Sequence, residues 1–270
     1  IENRLREVSG TLRDLSLGVG VGLHERFAAG AAIHYAFGTR TDQSSVRDYV
    51  DETASYVETD EFAMSGVNFT LGLRGVINER VEIGVAWESQ LDAGGDRTRS
   101  RYEAGTDSTA LSVVDGQYRY PNIFRGGLTF RPRTDPATII TIELEFVPWS
   151  EMVDDAFAGA DAPTTLEDIT DVRIGLQHTF YNGMPLRFGF RHYQSYADKD
   201  AGSSAFSAGL GMPVGEGMLA VSLELSKLTS VQAHQFPYPD DYFGDPFYAD
   251  PDARVEDTRF RIGVGYTMNF

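Results

Sequence analysis

Residues 259–270 have the sequence RFRIGVGYTMNF, with a large apolar residue at every second position. Because successive side chains of a strand point to opposite faces, this alternation predicts one apolar face and one face of charged, polar or glycine residues. About 11 residues is also the length that a tilted strand needs to cross a bilayer. We therefore predict a membrane-spanning strand here, rather than an edge strand of a soluble β-sandwich.

The composition agrees with a barrel and argues against several other classes of protein. The 270 residues include 28 Gly, 17 Phe and 13 Tyr, and barrels use such bare and aromatic positions for packing and for interfacial girdles. No run of about 18 apolar residues is present, so we predict no transmembrane helix. The lack of Cys excludes disulfides and thiolate metal sites. A formal charge of −17 argues against nucleic acid as a partner.

Ten further alternating segments precede the last one, and short turns join them in hairpins. We predict strands at 15–23, 27–37, 67–73, 81–87, 124–130, 140–146, 172–180, 186–190, 206–210 and 219–225. The short turns lie at 24–26, 78–80, 134–136, 182–183 and 213–217, and Asn182-Gly183 is the strongest short hairpin signal. The polar segments 39–61, 89–117, 150–168 and 229–257 are predicted to be long loops.

Short and long connections alternate along the chain, apart from a brief excursion near residues 197–202. Bacterial barrels have short periplasmic turns and longer outside loops, so the prediction is an all-β transmembrane antiparallel barrel with about eleven strands in this chain. Single-chain bacterial barrels close with an even number of strands, so we expect further strands upstream of Ile1. The opening IENRLREVSGT lacks the charged start and apolar core of a signal peptide, and we interpret Ile1 as a truncated or processed start.

The polar phase of the predicted strands carries many charged residues, and we predict that these side chains face the lumen. One interpretation is a charged pore or a site for an anionic head group. The other is a ladder of inward salt bridges, which the pattern favours because Arg suits fixed carboxylate pairing and isolated charges are costly. The residues are Arg74, Arg125, Arg131, Arg173, Arg187, Arg191, Arg259, Arg261, Glu82, Glu88, Glu143, Glu145 and Glu224.

The segment YPNIFRGGLTFRPRTDPATIITIELEFVPWSEM, residues 120–152, resembles the central signature of the FadL/TodX family of outer-membrane transporters for hydrophobic compounds. The positions that carry the resemblance are Pro121, Gly126, Gly127, Trp149 and Ser150. Two later segments, NGMPLRFGFRHY at 182–193 and AFSAGLGMPVGEGM at 205–218, resemble the same family, as does the terminal Phe270. In that class of barrel the final Phe is part of the insertion signal.

The resemblance implies a fourteen-stranded barrel with an amino-terminal hatch, from which ligands leave sideways through the wall. Eleven strands here would place three strands and the hatch upstream, so the gating residues cannot be carried over. It implies uptake of hydrophobic or long-chain fatty-acid-like compounds at the outer membrane of a Gram-negative-type bacterium, with membrane lipid and hydrophobic small molecules as partners and no cofactor. The alternative is a non-transporting barrel that docks or anchors another outer-membrane or surface protein.

The segment QFPYPDDYFGDPFYADPDARVED, residues 235–257, interleaves aromatic residues with acids in a predicted outer loop. It has three interpretations: a capture surface for hydrophobic ligands, a calcium site built from carboxylates, or a loop whose rings pack inward over the barrel mouth. The pattern favours the packed loop. The candidate ligand-binding residues are Tyr238, Tyr242, Phe243, Phe247 and Tyr248.

The five histidines, His24, His34, His178, His192 and His234, are scattered over different predicted strands and connections. Barrel phospholipases and proteases need a Ser-His or Asp-His arrangement near one rim, and no His here lies in a nucleophile motif. We therefore predict that the protein is not an enzyme and has no catalytic residues and no metal site.

Overall fold

A computed structural model describes residues 2–50, 55–105, 108–133, 137–154, 166–196, 198, 201–215, 217–232 and 253–268. Within these ranges the fold is made of strands and one short 3-10 helix, Trp149–Glu151. No helix there is long and apolar enough to cross a bilayer, a result that does not bear on crossing by strands. The strands are β1 Glu2–His24, β2 Phe27–Asp48, β3 Tyr56–Asn78, β4 Val81–Glu88, β5 Leu91–Glu103, β6 Ser108–Tyr120, β7 Ile123–Arg133, β8 Thr138–Val147, β9 Val153–Asp154, β10 Ile169–Thr179, β11 Pro185–Gln194, β12 Gly202–Val214, β13 Gly217–Gln232 and β14 Ala253–Met268.

Eleven strands form one continuous antiparallel wall in the order β1-β2-β3-β4-β7-β8-β10-β11-β12-β13-β14. Each of them contains all or most of one of the eleven predicted alternating segments, and each pairs with the wall strands that precede and follow it. The predicted antiparallel barrel architecture is therefore confirmed.

Two of the predicted turns show why their residues are needed. Gly183 has a φ of 79° and Gly215 a φ of 60°, in the region where a side chain would be strained. Asn182 adds a local contact, because its Oδ1 accepts a hydrogen bond from the backbone N of Met184 at 3.1 Å. Such tight turns hold the two flanking strands in register.

The apolar residues of the alternation form one exposed face of the wall. Ile33, Leu71 and Val85 are all about half exposed in spite of their apolar side chains, as are the residues of β14 that share their phase. Aromatic residues lie toward both ends of this face, an arrangement typical of a membrane barrel with interfacial girdles. Toward one end are the ring pairs Tyr35–Phe37, Phe69–Trp87, Phe124–Phe146 and Phe190–Phe206, and toward the other are Phe27, Phe130, Phe180 and Tyr266.

Five segments without an apolar alternation are strands, so the loop predictions at 39–61 and 89–117 are largely wrong. β2 runs on to Asp48 and pairs with β3, which begins at Tyr56, while β1 begins at Glu2. The segment 89–117 contains β5 and most of β6. Here the outward positions are mostly polar or charged, because a sheet with water on that side needs no continuous apolar phase. We call residues 2–13, 38–48, 56–66, β5 and β6 the outer extension.

The outer extension continues the strands of the wall. The pairs Glu88↔Ile123 and Leu91↔Tyr120 keep the same register, so β4 with β5 and β6 with β7 form one long hairpin with an interruption. Relative to β3, the strand gains one residue between β4 and β5, which is a β-bulge. Asn122 fills the gap, since its Oδ1 accepts hydrogen bonds from Trp87 Nε1 at 3.1 Å and from the backbone N of Gln90 at 3.2 Å.

Candidate functional site

The face opposite the exposed apolar side chains, which we call the polar face, carries a row of ion pairs across the strands. Arg125 is its centre, with Nε 2.6 Å from Glu145 Oε2 and Nη1 2.9 Å from Glu88 Oε2. Arg173 contacts Glu145 at 3.5 Å and donates from Nε to the Tyr193 hydroxyl at 3.2 Å. Such bridging arginines fix several strands at once. We call this row the ion-pair belt: Asn68, Glu88, Arg125, Glu145, Arg173, Glu143 and Tyr193.

The remaining predicted arginines also have acceptor partners. Glu82 Oε2 accepts from Arg74 at 2.8 Å and its Oε1 accepts from Arg131 at 2.8 Å, while Glu224 lies 3.0 Å from Arg191 and 3.6 Å from Arg261. Two more pairs are Arg187 with Gln177 at 2.8 Å and Arg259 with Asp257 at 2.7 Å. This geometry is the one expected for a salt-bridge ladder, whereas the orientation of these side chains toward a lumen stays a prediction.

A second polar cluster on this face joins β1, β2 and β3 around His34, and the sequence pattern did not predict it. His34 Nδ1 lies 3.2 Å from Asp14 Oδ2 and 2.9 Å from Ser16 Oγ, and Nε2 lies 2.9 Å from Thr70 Oγ1. A carboxylate, an imidazole and a hydroxyl in line are the parts of a hydrolytic triad. However, Thr70 lies mid-strand with both ladders formed, so its backbone N–H is not available as an oxyanion donor.

The other histidines are dispersed in the structure as they are in the sequence. His178 Nδ1 lies 2.9 Å from Thr138 Oγ1, His192 Nδ1 lies 2.8 Å from Ser204 Oγ, and His24 is at the β1–β2 turn. His234 lies outside the described residues. Within the described ranges no group of three or more His, Asp or Glu side chains is placed to hold a metal ion.

Four aromatic rings from separate parts of the chain form a row at the outer end of the polar face, which we call the aromatic band. Ring centroids are 4.6 Å apart for Tyr118 and Tyr120, 5.8 Å for Tyr120 and Trp149, and 4.5 Å for Trp149 and Tyr196. These are ordinary distances for edge-to-face and offset aromatic contacts. The band therefore links β6, the 3-10 helix and the segment after β11.

The aromatic band is continuous with an apolar cluster contributed by β2, β3 and β5. Tyr118 and Tyr120 pack against a buried cluster, together with Met64; the cluster residues are Ala36, Leu91 and Ala93. Along β8 the polar-face positions run Glu143, Glu145 and Val147, and Trp149 follows in the 3-10 helix just beyond the end of the strand. A polar-face surface that is aromatic and apolar therefore lies outside the ion-pair belt.

Sequence reasoning missed most of this band. Tyr118 and Tyr120 lie at the end of a segment without alternation, and Tyr196 follows a strand, so none has a periodic signal. Trp149 entered the prediction through the family signature, and its place in the ring row depends on contacts with Tyr120 and Tyr196, which belong to distant segments of the chain. The alternation predicted which charged residues share one face of the strands, but it could not predict contacts between segments that are distant in the sequence.

The outer extension holds a buried ion pair of its own, outside the apolar alternation that marks the membrane-spanning segments. Arg97 Nε donates to Asp60 Oδ1 at 2.7 Å and Arg99 Nη2 donates to Asp60 Oδ2 at 2.9 Å. Burial alone would raise the pKa of the Asp60 carboxyl, but the hydrogen bonds from Arg97 and Arg99 outweigh it and hold that pKa below its ordinary value.

We expect acid to destabilise the outer extension through Asp60. A carboxyl with a lowered folded-state pKa stabilises the fold above its unfolded pKa, and this contribution is lost as the pH falls through the folded value. Between pH 6 and about 3, protection of the β3–β5 amides from hydrogen exchange should fall. In Asp60→Asn, protection should be lower at pH 6 and respond less to acid. The same acid response in Asp60→Asn and wild type would exclude this carboxyl as the cause.

Several predicted residues lie outside the described residues. These are the outer-loop aromatics Tyr238, Tyr242, Phe243, Phe247 and Tyr248 and the terminal Phe270. Their roles in ligand capture and in barrel insertion stay predictions, and so does the calcium alternative for the same loop.

Comparison of the structure with solved structures identifies its fold. A crystal structure of a Pseudomonas aeruginosa FadL homologue matches over 96% of this chain with a TM-score of 0.64 and 11% sequence identity. The chain has the fold of a FadL-type barrel. A second match is the crystal structure of the Ralstonia pickettii toluene transporter TbuX, which covers 81% of this chain with a TM-score of 0.55 and 14% identity. The chain spans 66% and 63% of the lengths of these two proteins.

Sequence comparison adds no further relative. No family model matches the chain, and no curated protein matches it. The FadL-type assignment consequently concerns the fold, and function has to be argued from the residues of the polar face.

Proposed function

We propose that this protein is an outer-membrane barrel of a Gram-negative-type bacterium that takes up hydrophobic compounds. The aromatic band carries the proposal. Positions on the lumen side of a barrel are ordinarily polar, so a continuous row of four rings at the outer end of that face is a surface for apolar ligands. Tyr196 is 44% exposed, which leaves one end of the row open.

The ion-pair belt fits the same function as a structural element. Each charged side chain of the belt has a partner of opposite charge, with its two arginines shared among three carboxylates, so the belt gives the wall rigidity and offers no unpaired charge to a passing ligand. The proposal therefore assigns first contact with the ligand to the aromatic band. Aromatic hydrocarbons and long-chain fatty acids both belong to the hydrophobic class, and the uptake assay compares the two.

Removing two rings of the band should reduce uptake. In cells that depend on this protein for entry, Tyr120→Ser with Trp149→Ser is expected to lower the initial uptake rate of radiolabelled toluene or oleate several-fold, since each buried ring contributes about 1.5–3 kcal/mol of apolar contact. The ring-keeping control, Tyr120→Phe with Trp149→Phe, should retain most toluene uptake. Barrel yield is compared by heat-dependent migration in gels.

The outcome that contradicts transport is equal uptake by the serine variant, the phenylalanine variant and wild type at equal barrel yield. A difference confined to oleate or to toluene would identify which of the two chemical classes the band receives.

Docking of another protein is the second candidate, and one observation favours it. Leu111, Val113 and Val114 on β6 are 68%, 61% and 52% exposed in the outer extension, beyond the apolar face of the wall. Exposed apolar side chains on a strand edge are typical of sites that pair with another chain. Copurification separates the candidates: a retained hydrophobic compound supports uptake, and a stoichiometric protein partner supports docking.

A further inference from the structure

The aromatic band contains a polar atom without a partner. Trp149 Nε1 is enclosed by the protein and has no hydrogen-bond acceptor within the described residues. A buried donor left without an acceptor destabilises the protein by roughly 1–3 kcal/mol. The other tryptophan provides the contrast, because Trp87 Nε1 donates to Asn122 Oδ1 at 3.1 Å.

The rings around Trp149 determine which acceptor would fit. Tyr196 stacks on the indole at 4.5 Å with an interplanar angle of 30°, and Tyr120 meets it edge-on at 5.8 Å. A ligand that takes the place of one neighbouring ring needs a flat ring to restore the stacking. It also needs an oxygen that reaches the edge of the indole, because the N–H group lies in the plane of the indole. Tyr196 follows the end of β11 and is the more exposed of the two neighbours, so we assign the displacement to its ring.

Charges near the band disfavour an anionic ligand. Asp168 lies beside the 3-10 helix, where it accepts hydrogen bonds from the Ser150 backbone N at 3.0 Å and from Ser150 Oγ at 2.6 Å. These two bonds hold the pKa of the Asp168 carboxyl below its ordinary value, so the group is charged at neutral pH. A second carboxylate brought to the adjacent Trp149 would be repelled.

We propose that the aromatic band selects neutral aromatic compounds that carry an oxygen acceptor on or beside the ring, in preference to aromatic hydrocarbons and to aromatic carboxylates. The inference rests on the proposed uptake function and names the ligand class of the same band. Trp149 is its specificity-determining residue, and the Nε1–H group is the donor.

The test uses a ligand pair of nearly equal shape. Acetophenone has a carbonyl where ethylbenzene has a methylene, and benzoate adds the negative charge. The whole protein is labelled with ¹⁵N-tryptophan in detergent micelles. Because the sequence contains 2 Trp, two indole N–H signals are expected, with Trp87 as the reference that is already hydrogen-bonded.

Acetophenone should move the Trp149 indole proton downfield in a saturable way, whereas ethylbenzene should cause no hydrogen-bond shift and the Trp87 signal should stay in place. Calorimetry gives the affinities. For each protein we take the ratio of the affinity for acetophenone to the affinity for ethylbenzene. This ratio is expected to be about 10 times larger in wild type than in Trp149→Phe, the contribution of one neutral hydrogen bond. Comparing the two ratios removes the difference in hydrophobicity between the ligands. Benzoate should bind more weakly than acetophenone.

Each other result has a defined meaning. If both neutral ligands bind and the ratio is the same in wild type and Trp149→Phe, the selectivity for oxygen is wrong while the uptake proposal stands. If benzoate binds more tightly than acetophenone, the preference for neutral ligands is wrong. If no ligand shifts either indole signal, both proposals fail at this band. The indole measurement uses unsubstituted protein, so it holds even where Trp149→Phe fails to assemble.

Discussion

Ile33→Arg is expected to destabilise the barrel by roughly 2–4 kcal/mol, the cost of an arginine at the lipid-facing midplane of a membrane barrel. Ile33 lies near the middle of the apolar alternation of β2 and is 54% exposed on the apolar face. Its neighbours across the strands are Leu17 and Phe69, so the face around it is apolar and offers no counter-charge. Urea unfolding of the protein in phospholipid vesicles measures the loss.

The matched control is the adjacent residue, which points to the opposite face. Ala32 lies across from Gly18 and Thr70, so an arginine there has room and lies on the same face as Asp14 and Glu88. Ala32→Arg should cost well under half as much as Ile33→Arg. Equal losses for the two variants would mean that the exposed apolar face is not in contact with lipid, and would overturn the assignment of faces.

The wall could be predicted from sequence because the bilayer imposes a simple rule. Every membrane-crossing strand must present apolar side chains at alternate positions. This pattern can be recognised in β2, β3 and β14 without knowing which strands lie beside them. Five of the ten pairings between wall strands followed equally simply, since segments joined by short turns pair with each other.

The outer extension could not be predicted for the converse reason. Outside the membrane both faces of a sheet contact water or polar groups, so strand residues such as Thr39, Thr41 and Gln43 have no phase that distinguishes them from a loop. Their strand conformation depends on pairing with β1 and β3, which is information about distant residues.

The residues of the candidate site also differ in how far the sequence predicts them. Arg125, Glu145 and Arg173 could be placed on one phase because each lies in an alternating strand, and their mutual contacts follow from the register. The His34 cluster and the aromatic band combine residues from different strands and connections, so each requires the three-dimensional pairing. The outer-loop aromatics show no alternation and lie outside the described residues, so their role stays a prediction.

Gly38→Ala and Gly95→Ala should each destabilise the outer extension by about 3 kcal/mol, the upper end of the usual cost of forcing atoms into a filled space. A Cβ on Gly38 would lie 1.9 Å from the carbonyl oxygen of Thr11, and one on Gly95 would lie 1.8 Å from that of Ala63. Both obstacles are backbone atoms of paired strands, Thr11 in the β1–β2 ladder and Ala63 in the β2–β3 ladder, so relief requires strands to move apart.

These two glycines also lie close to the residues that support the aromatic band. Gly38 pairs with Met64, and an added Cβ at Gly95 would meet the carbonyl of the preceding residue, Ala63. Both positions therefore adjoin the part of β3 that packs against the same buried cluster as Tyr118 and Tyr120. Either alanine should therefore change the environment of the aromatic band, seen as a shift of the Trp149 indole signal with Trp87 unchanged. Gly126→Ala is the control, because its Cβ would meet nothing within 4 Å. If Gly38→Ala and Gly95→Ala unfold no more readily than Gly126→Ala, the strands have room to separate there, and the outer extension cannot be what holds the band in place.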